Sequence, residues 1–185
     1  MTNYDDIDFS ALDALAEGEV VTHSLVRDIR LPSGKVLALI TLDNGRDHTR
    51  PNTFGPTTLV ELGETLDALA ARAASGEIQA VGVTGKQYIL AAGADLSDIS
   101  RVPSKEVARL VAQLGHKVLG KLSTLGVPSF AFVNGPALGG GLELAVTADI
   151  RICEVQAKIG LPETGLGMIP GWSGTQRLVK RLGGQ

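Results

Sequence analysis

The chain has 185 residues, of which 44% are hydrophobic, and this length supports one substantial core but not two. Seventeen Lys and Arg residues against twenty Asp and Glu residues give a net charge of −3 without a basic cluster, so the composition favours neither nucleic acid nor an anionic membrane surface as a partner. The apolar runs fall short of the ~18 residues that a membrane span needs and the acidic start is unlike a signal peptide, so we expect a cytoplasmic protein.

Residues 1–18 form an acidic segment that carries no Lys or Arg and has weak hydrophobic periodicity. We predict an N-terminal arm over residues 1–18, either frayed or folded as a short helix, and one core domain over residues 19–185. The rest of the chain alternates apolar β-type runs with helical patterns. The predicted strands cover residues 20–22, 36–41, 80–84, 129–133 and 150–153, and the predicted helices cover 56–75, 104–123, a segment from about 140, and 174–182.

Two local signals refine this pattern. The turn-rich residues 32–34 connect the first two strands into a predicted hairpin. Thr58 and Glu61 have the spacing of a capping box at the start of the first long helix, with Pro56 in its first turn. Strands that alternate with crossover helices predict an α/β fold with parallel pairing.

The cysteine and histidines point away from a metal or disulfide. Cys153, the single cysteine, lies in an apolar strand-like run and is predicted to be buried, in a reducing compartment. His116 lies at a polar position of the second long helix, which favours an exposed side chain over a ligand. His23 and His48 have no partner at metal-ligand spacing, so we predict no metal site.

The glycine-rich segment at residues 134–145, NGPALGGGLELA, is the first candidate for chemistry. Three consecutive glycines at a strand-to-helix junction predict close approach to the backbone, and a helix that begins there exposes its first N–H groups. Glu143 is the only charged residue between Pro136 and Ala148. A carboxylate in such apolar surroundings is costly unless it is paired or used.

Glu163 is the second isolated carboxylate, the only charge between Lys158 and Arg177. Two carboxylates in apolar surroundings can serve as base and acid, and N–H groups near Gly140 can hold a developing oxyanion. The residues alone leave a second interpretation open, in which Glu143 caps a helix and Glu163 lies in a surface loop.

Familiar nucleotide and hydrolase motifs are incomplete. Gly139-x-Gly141 lacks the third glycine of a dinucleotide fingerprint, and the glycines before Lys86 have the wrong spacing for a P-loop. The chain has no G-x-S-x-G elbow. Hydride transfer and nucleotide hydrolysis therefore lose support.

Three segments in order resemble the enoyl-CoA hydratase/isomerase (crotonase) superfamily: AAGADL at residues 91–96, the glycine-rich segment with Ala148 and Asp149, and residues 161–178. The resemblance runs from about residue 36 to the end, and the joint pattern is more specific than any one glycine run. RPNT at residues 50–53 and Trp172 are most similar to the hydratase module that opens the alpha subunit of actinobacterial fatty-acid oxidation complexes.

The resemblance implies a crotonase-like ββα spiral fold and a set of roles. Ala94 and Gly140 would supply the two N–H groups of an oxyanion hole for a thioester carbonyl. Glu143 and Glu163 would activate water for C3 and handle the proton at C2, and the backbone of Gly171 would help to position that water.

The substrate would be carried as a coenzyme A thioester, with no other cofactor. The resemblance assigns the residues that border coenzyme A as Arg50, Asn52, Ala92, Ala94, Asp95 and Leu96. Family domains continue with helices that complete the acyl pocket and build a trimer, so the resemblance also implies truncation before these trimerisation helices and, at full length, a trimer-based homo-oligomer, within a β-oxidation complex or alone.

Three functions are compatible with these residues. The first is an enoyl-CoA hydratase, the second an enoyl-CoA isomerase or acyl-CoA hydrolase on the same scaffold, and the third a non-catalytic acyl-CoA-binding or assembly module. Relatives of the second kind commonly keep only one of the two carboxylates, so the presence of both Glu143 and Glu163 favours hydration.

Overall fold

A computed structural model describes residue 7 and residues 9–95 and 101–183 of the chain. Its main sheet has the strand order β1-β2-β3-β4-β6, and β5 pairs with β7 in a small second sheet. The strands are β1 (His23–Arg30), β2 (Val36–Asp43), β3 (Ala80–Gly85), β4 (Ser129–Val133), β5 (Ala137–Leu138), β6 (Ile150–Cys153) and β7 (Ile159–Gly160). β1 and β2 are antiparallel and the other pairs are parallel, which confirms the predicted α/β fold.

Helices connect these strands at the predicted places. The α-helices are α1 (Asp13–Ala16), α2 (Pro56–Ala74), α3 (Lys105–Lys121), α4 (Gly140–Thr147) and α5 (Gly174–Leu182), and 3₁₀-helices span Phe9–Leu12 and Pro162–Leu166. The predictions of α2, α3 and α5 are confirmed. Residues 158–174, which carry no regular sequence pattern, contain β7 and the second 3₁₀-helix.

The core lies where α2 and α3 pack together with the buried face of the main sheet. The residues that these elements bury at 2% exposure or less include Ala38, Ile40 and Leu42 of β2, Leu59, Leu62, Leu66 and Leu69 of α2, and Leu114, Val118 and Leu119 of α3. Each large side chain of this kind stabilises the fold by about 1.5–3 kcal/mol relative to exposure. The leucine spacing that predicts the helices is therefore the spacing that fills the core.

The acidic N-terminal segment contacts this core. Leu12 and Leu15 are almost completely buried, and α1 packs near α2. The predicted division between residues 18 and 19 stays a prediction.

The predicted capping box of α2 is wrong. Glu19 supplies the cap instead, since its carboxylate accepts hydrogen bonds from Thr57 N at 2.8 Å and Thr58 N at 2.9 Å. Glu61 turns to β1, where it accepts from Ser24 N at 2.7 Å and bonds His23. A negative charge at a helix N-terminus is favourable whichever part of the chain supplies it.

The predicted first strand at residues 20–22 is also misplaced. β1 begins at His23, because the buried Thr22 bonds outside the sheet: its N–H donates to Thr58 Oγ1 at 2.9 Å and its hydroxyl to Thr53 O at 2.8 Å. The predicted hairpin and its turn are confirmed, with His23 opposite Asp43 and Arg30 opposite Val36.

Cys153 is exposed, so the prediction of a buried thiol is wrong. The apolar residues of β6 suggest an inner strand, but β6 lies at the edge of the main sheet with most of its residues exposed. In the part of the chain that the structure describes, no helix is long and apolar enough to cross a membrane. Within the same part, no three His, Cys, Asp or Glu side chains come together as a metal site.

Candidate active site

The junction between β5 and α4 forms the centre of the candidate site. Gly139 N–H donates to Gly160 O at 2.9 Å, which ties the junction to β7. Gly139 has φ 52° and ψ −126°, a conformation that a residue with a side chain rarely adopts. The helix that follows is buried on every side, as the apolar pattern predicts.

Glu143 lies on this helix with 2% of its surface exposed. Its Oε1 accepts hydrogen bonds from Trp172 N at 2.8 Å and from Gly174 N at 2.7 Å. Burial raises the pKa of the Glu143 carboxyl, the two N–H donors lower it, and the negative charge of Glu163 raises it. Glu143 therefore does not cap its own helix, but its carboxylate accepts a hydrogen bond from the N–H of Gly174, the first residue of α5.

Glu163 lies in the 3₁₀-helix, half-buried beside the start of α4. A Cβ atom on Gly139 would lie 2.9 Å from Glu163 Oε1, so the absence of a side chain at Gly139 lets the carboxylate approach. The other oxygen, Oε2, is buried and has no hydrogen-bond partner among the described residues. Since buried polar atoms are normally paired, this oxygen marks a place for water or a ligand group. Glu163 therefore lies in a 3₁₀-helix that has no fully buried residue, but its carboxylate points inward, toward Gly139.

Ala94 and Gly140 are brought together by Gly93. A Cβ on Gly93 would lie 2.6 Å from Gly140 N, so the loop before Ala94 lies against the start of α4. Two backbone hydrogen bonds hold this loop in place: the N–H of Phe54 donates to Gly93 O, and the N–H of Leu138 donates to Ala91 O. Among residues 7, 9–95 and 101–183, no backbone carbonyl outside a helix or strand accepts a hydrogen bond from the N–H of Ala94 or of Gly140. The N–H groups of Ala94 and Gly140 thus lie where the Gly93 loop contacts the start of α4.

The remaining predicted catalytic residue, Gly171, is exposed and directly precedes Trp172. Trp172, the next residue in the chain, donates its N–H to Glu143, so the backbone of Gly171 lies near the Glu143 carboxylate.

The predicted coenzyme A residues separate into two groups. Arg50 and Asp95 line one cavity of about 370 Å³, together with Asn44, Arg46 and Thr53. Ala92 N–H donates to Asn52 O at 2.9 Å, which ties the two loops together. Leu96 lies outside the described residues.

The side chain of Asn52 has a structural task. It is fully buried, accepts from Asn44 N at 3.1 Å, and donates to Leu42 O at 2.8 Å and Leu90 O at 2.9 Å. Its contribution to a ligand would come through the shape of the loop. Lys86, which sequence reasoning tested only as part of a P-loop, supports the same loop by donating to the carbonyl oxygens of Arg46 and Arg50.

Trp172 is the main feature of the site to which sequence reasoning assigned no role. Its indole is buried between two helices: a Cβ on Gly115 of α3 would lie 2.2 Å from its Nε1, and a Cβ on Gly140 would lie 2.2 Å from its Cζ3. Phe54 contacts the ring edge-on, with the ring centroids 6.1 Å apart. A glycine inside a leucine-rich helix is costly, and Gly115 was the available signal of a close approach.

Comparison with known proteins decides the family. The model of the enoyl-CoA hydratase/isomerase family matches residues 33–185. The chain belongs to this family. A probable enoyl-CoA hydratase of Bacillus subtilis (strain 168) is 34% identical over 155 residues, which cover 84% of this chain and 57% of that protein. The fatty acid oxidation complex subunit alpha of Shewanella frigidimarina is 36% identical over 151 residues, 80% of this chain and 20% of that protein.

Solved structures agree with the crotonase fold. An enoyl-CoA hydratase from Bacillus anthracis superimposes with a TM-score of 0.73 at 30% identity, covering 86% of this chain and 58% of that chain. Pseudomonas aeruginosa DspI superimposes with a TM-score of 0.72 at 33% identity, covering 89% of this chain and 63% of that chain. The chain thus spans less than two thirds of the length of these relatives. The alpha subunit quoted comes from Shewanella, so the likeness to actinobacterial complexes stays a prediction.

Proposed function

We propose that the chain carries the active site of an enoyl-CoA hydratase, which adds water in the syn sense to the C2=C3 bond of a trans-2-enoyl-CoA and yields a 3-hydroxyacyl-CoA in fatty-acid β-oxidation. The observation that carries the proposal is that the Glu163 carboxylate lies against Gly139, at the start of the helix that carries the buried Glu143, and that its negative charge raises the pKa of Glu143. Glu143 lies on α4 and Glu163 in the 3₁₀-helix Pro162–Leu166, and Gly139, which precedes α4, is the residue next to the Glu163 carboxylate.

The two carboxylates suit the two proton transfers of hydration. One takes a proton from water while the water oxygen bonds to C3, and the other delivers a proton to C2, so that the elements of one water molecule are added. Glu163 Oε2, which is buried and has no hydrogen-bond partner among the described residues, is a position for an O–H donor such as that water. Glu143 has one oxygen held by two N–H groups, which orients the carboxylate for the second transfer.

The backbone donors suit the charge that develops on the thioester. As C3 is attacked, electron density moves to the thioester oxygen, and the N–H groups of Gly140 and Ala94 are the proposed donors to that oxyanion. Arg50 and Asp95, which line the cavity of about 370 Å³, are the proposed neighbours of coenzyme A. We propose no cofactor beyond the coenzyme A of the substrate.

An isomerase or an acyl-CoA hydrolase on the same scaffold is the second candidate. An isomerase moves the proton with a single carboxylate, whereas this site presents two. The polar, unpartnered oxygen favours a bound water over a purely apolar substrate contact.

For the whole protein we propose a cytoplasmic, trimer-based assembly that acts on acyl-CoA and, as the names of its alpha-subunit relatives suggest, a place in a fatty-acid oxidation complex.

The test is the loss of the enoyl-thioester absorbance when the protein is mixed with crotonyl-CoA. We expect the absorbance to fall and 3-hydroxybutyryl-CoA to appear by mass spectrometry. Product of unchanged mass from a 3-enoyl-CoA would indicate an isomerase, free coenzyme A would indicate a hydrolase, and saturable binding without turnover would indicate a binding module. Each of these three outcomes contradicts the hydratase.

A further inference from the structure

The hydroxyl of Ser173 bonds the ring of His116 across two helices. Ser173 Oγ lies 3.1 Å from His116 Nδ1, on the exposed side of α3, and Ser173 itself is buried. Ser173 immediately precedes α5, and its carbonyl accepts from Arg177 N at 2.8 Å. A serine at this position normally caps the helix with its own oxygen, but this side chain makes no cap hydrogen bond. The hydroxyl is committed to the histidine instead.

The backbone of Ser173 is strained. Its φ is 90°, in the left-handed region, and apart from Tyr88 it is the only described residue other than glycine with a positive φ. Such a conformation is unfavourable for a residue with a Cβ and persists only where the surroundings enforce it. The side-chain constraint on Ser173 is the bond to His116, and its carbonyl is held by the N–H groups of Gln176 at 3.2 Å and Arg177 at 2.8 Å.

The strained residue stands between the two donors to Glu143. Trp172 N–H and Gly174 N–H both point to Glu143 Oε1, and they can do so together because the chain reverses at Ser173. If φ of Ser173 relaxed to the ordinary negative region, the two N–H groups would no longer converge on one oxygen. A Cβ on Gly174 would lie 3.0 Å from that oxygen, so the carboxylate fits closely against this turn.

We propose that His116 is a positioning residue for Glu143: it holds Ser173 in the left-handed conformation, and thereby aims the N–H groups of Trp172 and Gly174 at the carboxylate. This inference rests on the proposed function for its kinetic consequences but not for its structural ones. The hydrogen bond of His116 goes to Ser173 rather than to a carboxylate, so His116 acts on Glu143 through the backbone of residues 172–174.

The variants His116→Ala and Ser173→Ala remove the two sides of the bond. With either, we expect kcat for crotonyl-CoA to fall by roughly 10- to 10²-fold, the range expected for a misplaced catalytic group, with KM nearly unchanged. The double variant His116→Ala/Ser173→Ala should lose no more than each single one, because both changes break the same contact. Arg109→Ala is the matched control, an exposed position two turns earlier on α3, and it should leave kcat unchanged.

Glycine at position 173 gives the sharpest test. Glycine adopts a positive φ without strain, so the backbone no longer needs the bond to His116. We therefore expect His116→Ala/Ser173→Gly to recover most of the kcat that His116→Ala loses. If glycine gives no recovery, or if His116→Ala keeps the kcat of the parent, His116 does not act through the conformation of Ser173 and the proposal is overturned.

A readout without substrate separates this inference from the proposed function. The carboxyl carbon of Glu143 can be titrated by carbon-13 NMR, and loss of two N–H donors removes a contribution that lowers its pKa. We expect the pKa of Glu143 to rise in His116→Ala and to return in His116→Ala/Ser173→Gly, even if the parent shows no hydratase activity. An unchanged pKa in His116→Ala would overturn the proposal while leaving the hydratase assignment intact.

Discussion

The indole ring of Trp172 occupies the space that a side chain on Gly140 would need: a Cβ on Gly140 would lie 2.2 Å from Cζ3 of the ring. The same tryptophan donates its backbone N–H to Glu143, three residues further along the helix that Gly140 begins. One residue thus packs the start of α4 through its ring and orients the carboxylate through its backbone. Packing and chemistry are coupled at this point, because a shift of the ring would also shift the donor.

The carboxylates are tested by replacing each with its amide. Glu143→Gln and Glu163→Gln should each slow hydration of crotonyl-CoA by at least about 10²-fold, the lower end of what a positioned acid or base contributes. Binding of acyl-CoA should change little, since the amide has nearly the same shape. Glu154→Gln makes the same chemical change at an exposed position and should be silent. Near-parental kcat in either site variant would remove that residue from the roles proposed for the pair.

The pH dependence of stability should report the buried Glu143. Its folded-state pKa is raised above the usual 4.5, so the folded protein binds this proton more tightly than the unfolded chain does. The contribution of Glu143 is then most favourable below the unfolded pKa and is lost as the pH rises through the folded one.

Glutamine does not titrate, so the variant does not lose this contribution. As the pH rises from about 4.5, the free energy of unfolding of Glu143→Gln should therefore increase relative to that of the parent. Urea unfolding at a series of pH values measures the difference. Glu64→Gln, an exposed change on α2, should show no such trend. A difference between Glu143→Gln and parent that stays constant with pH would contradict a raised pKa.

Two glycines of α3 give a matched pair for packing. A Cβ on Gly115 would meet the Trp172 ring at 2.2 Å, whereas a Cβ on Gly120 would meet nothing within 4 Å. Gly115→Ala should lower the free energy of unfolding by about 1–3 kcal/mol through overpacking. Gly120→Ala should raise it by about 0.4–1 kcal/mol, because alanine lowers the entropy of the unfolded chain. Equal effects of the two substitutions in urea unfolding would show that the indole does not need the space at Gly115.

The cap that α2 receives from Glu19 should be measurable as stability. Glu19→Ala removes the acceptor of the Thr57 and Thr58 N–H groups and should cost about 1 kcal/mol in free energy of unfolding. Glu17→Ala removes an exposed carboxylate two residues earlier and should cost little. Equal costs for the two substitutions would show that the glutamates act only through net charge and would contradict the cap.

The 150–182 region should drive self-association. Its exposed large apolar side chains are Ile150, Ile152, Val155, Ile159, Leu166, Ile169, Val179 and Leu182. Apolar patches of this kind commonly mark contact surfaces. Sedimentation velocity should show a coefficient that rises with protein concentration, and Ile152→Lys on the edge strand β6 should weaken the rise. A concentration-independent monomer would contradict this expectation.

Local sequence was sufficient for the elements whose pattern and burial agree. The leucine spacing of α2 and α3 predicts both helices, because the side chains that repeat along each helix are the ones that fill the core. The isolation of Glu143 and Glu163 among apolar residues marks both as unusual before any fold is known, because an unpaired charge is costly in such surroundings. Short-range periodicity and composition carry this information by themselves.

Contacts between distant segments decided the rest. Glu19 rather than Thr58 caps α2, Cys153 is exposed because β6 lies at a sheet edge, and β1 begins after Thr22 because that residue bonds a loop and a helix. The two residues whose N–H groups bond Glu143 lie 29 and 31 residues away along the chain, and Ser173 and His116 are 57 residues apart. No local pattern specifies such pairs, since the chain must first close these long loops before the hydrogen bonds can form. The sequence by itself determined which residues are chemically unusual, and the tertiary structure decided which of them meet.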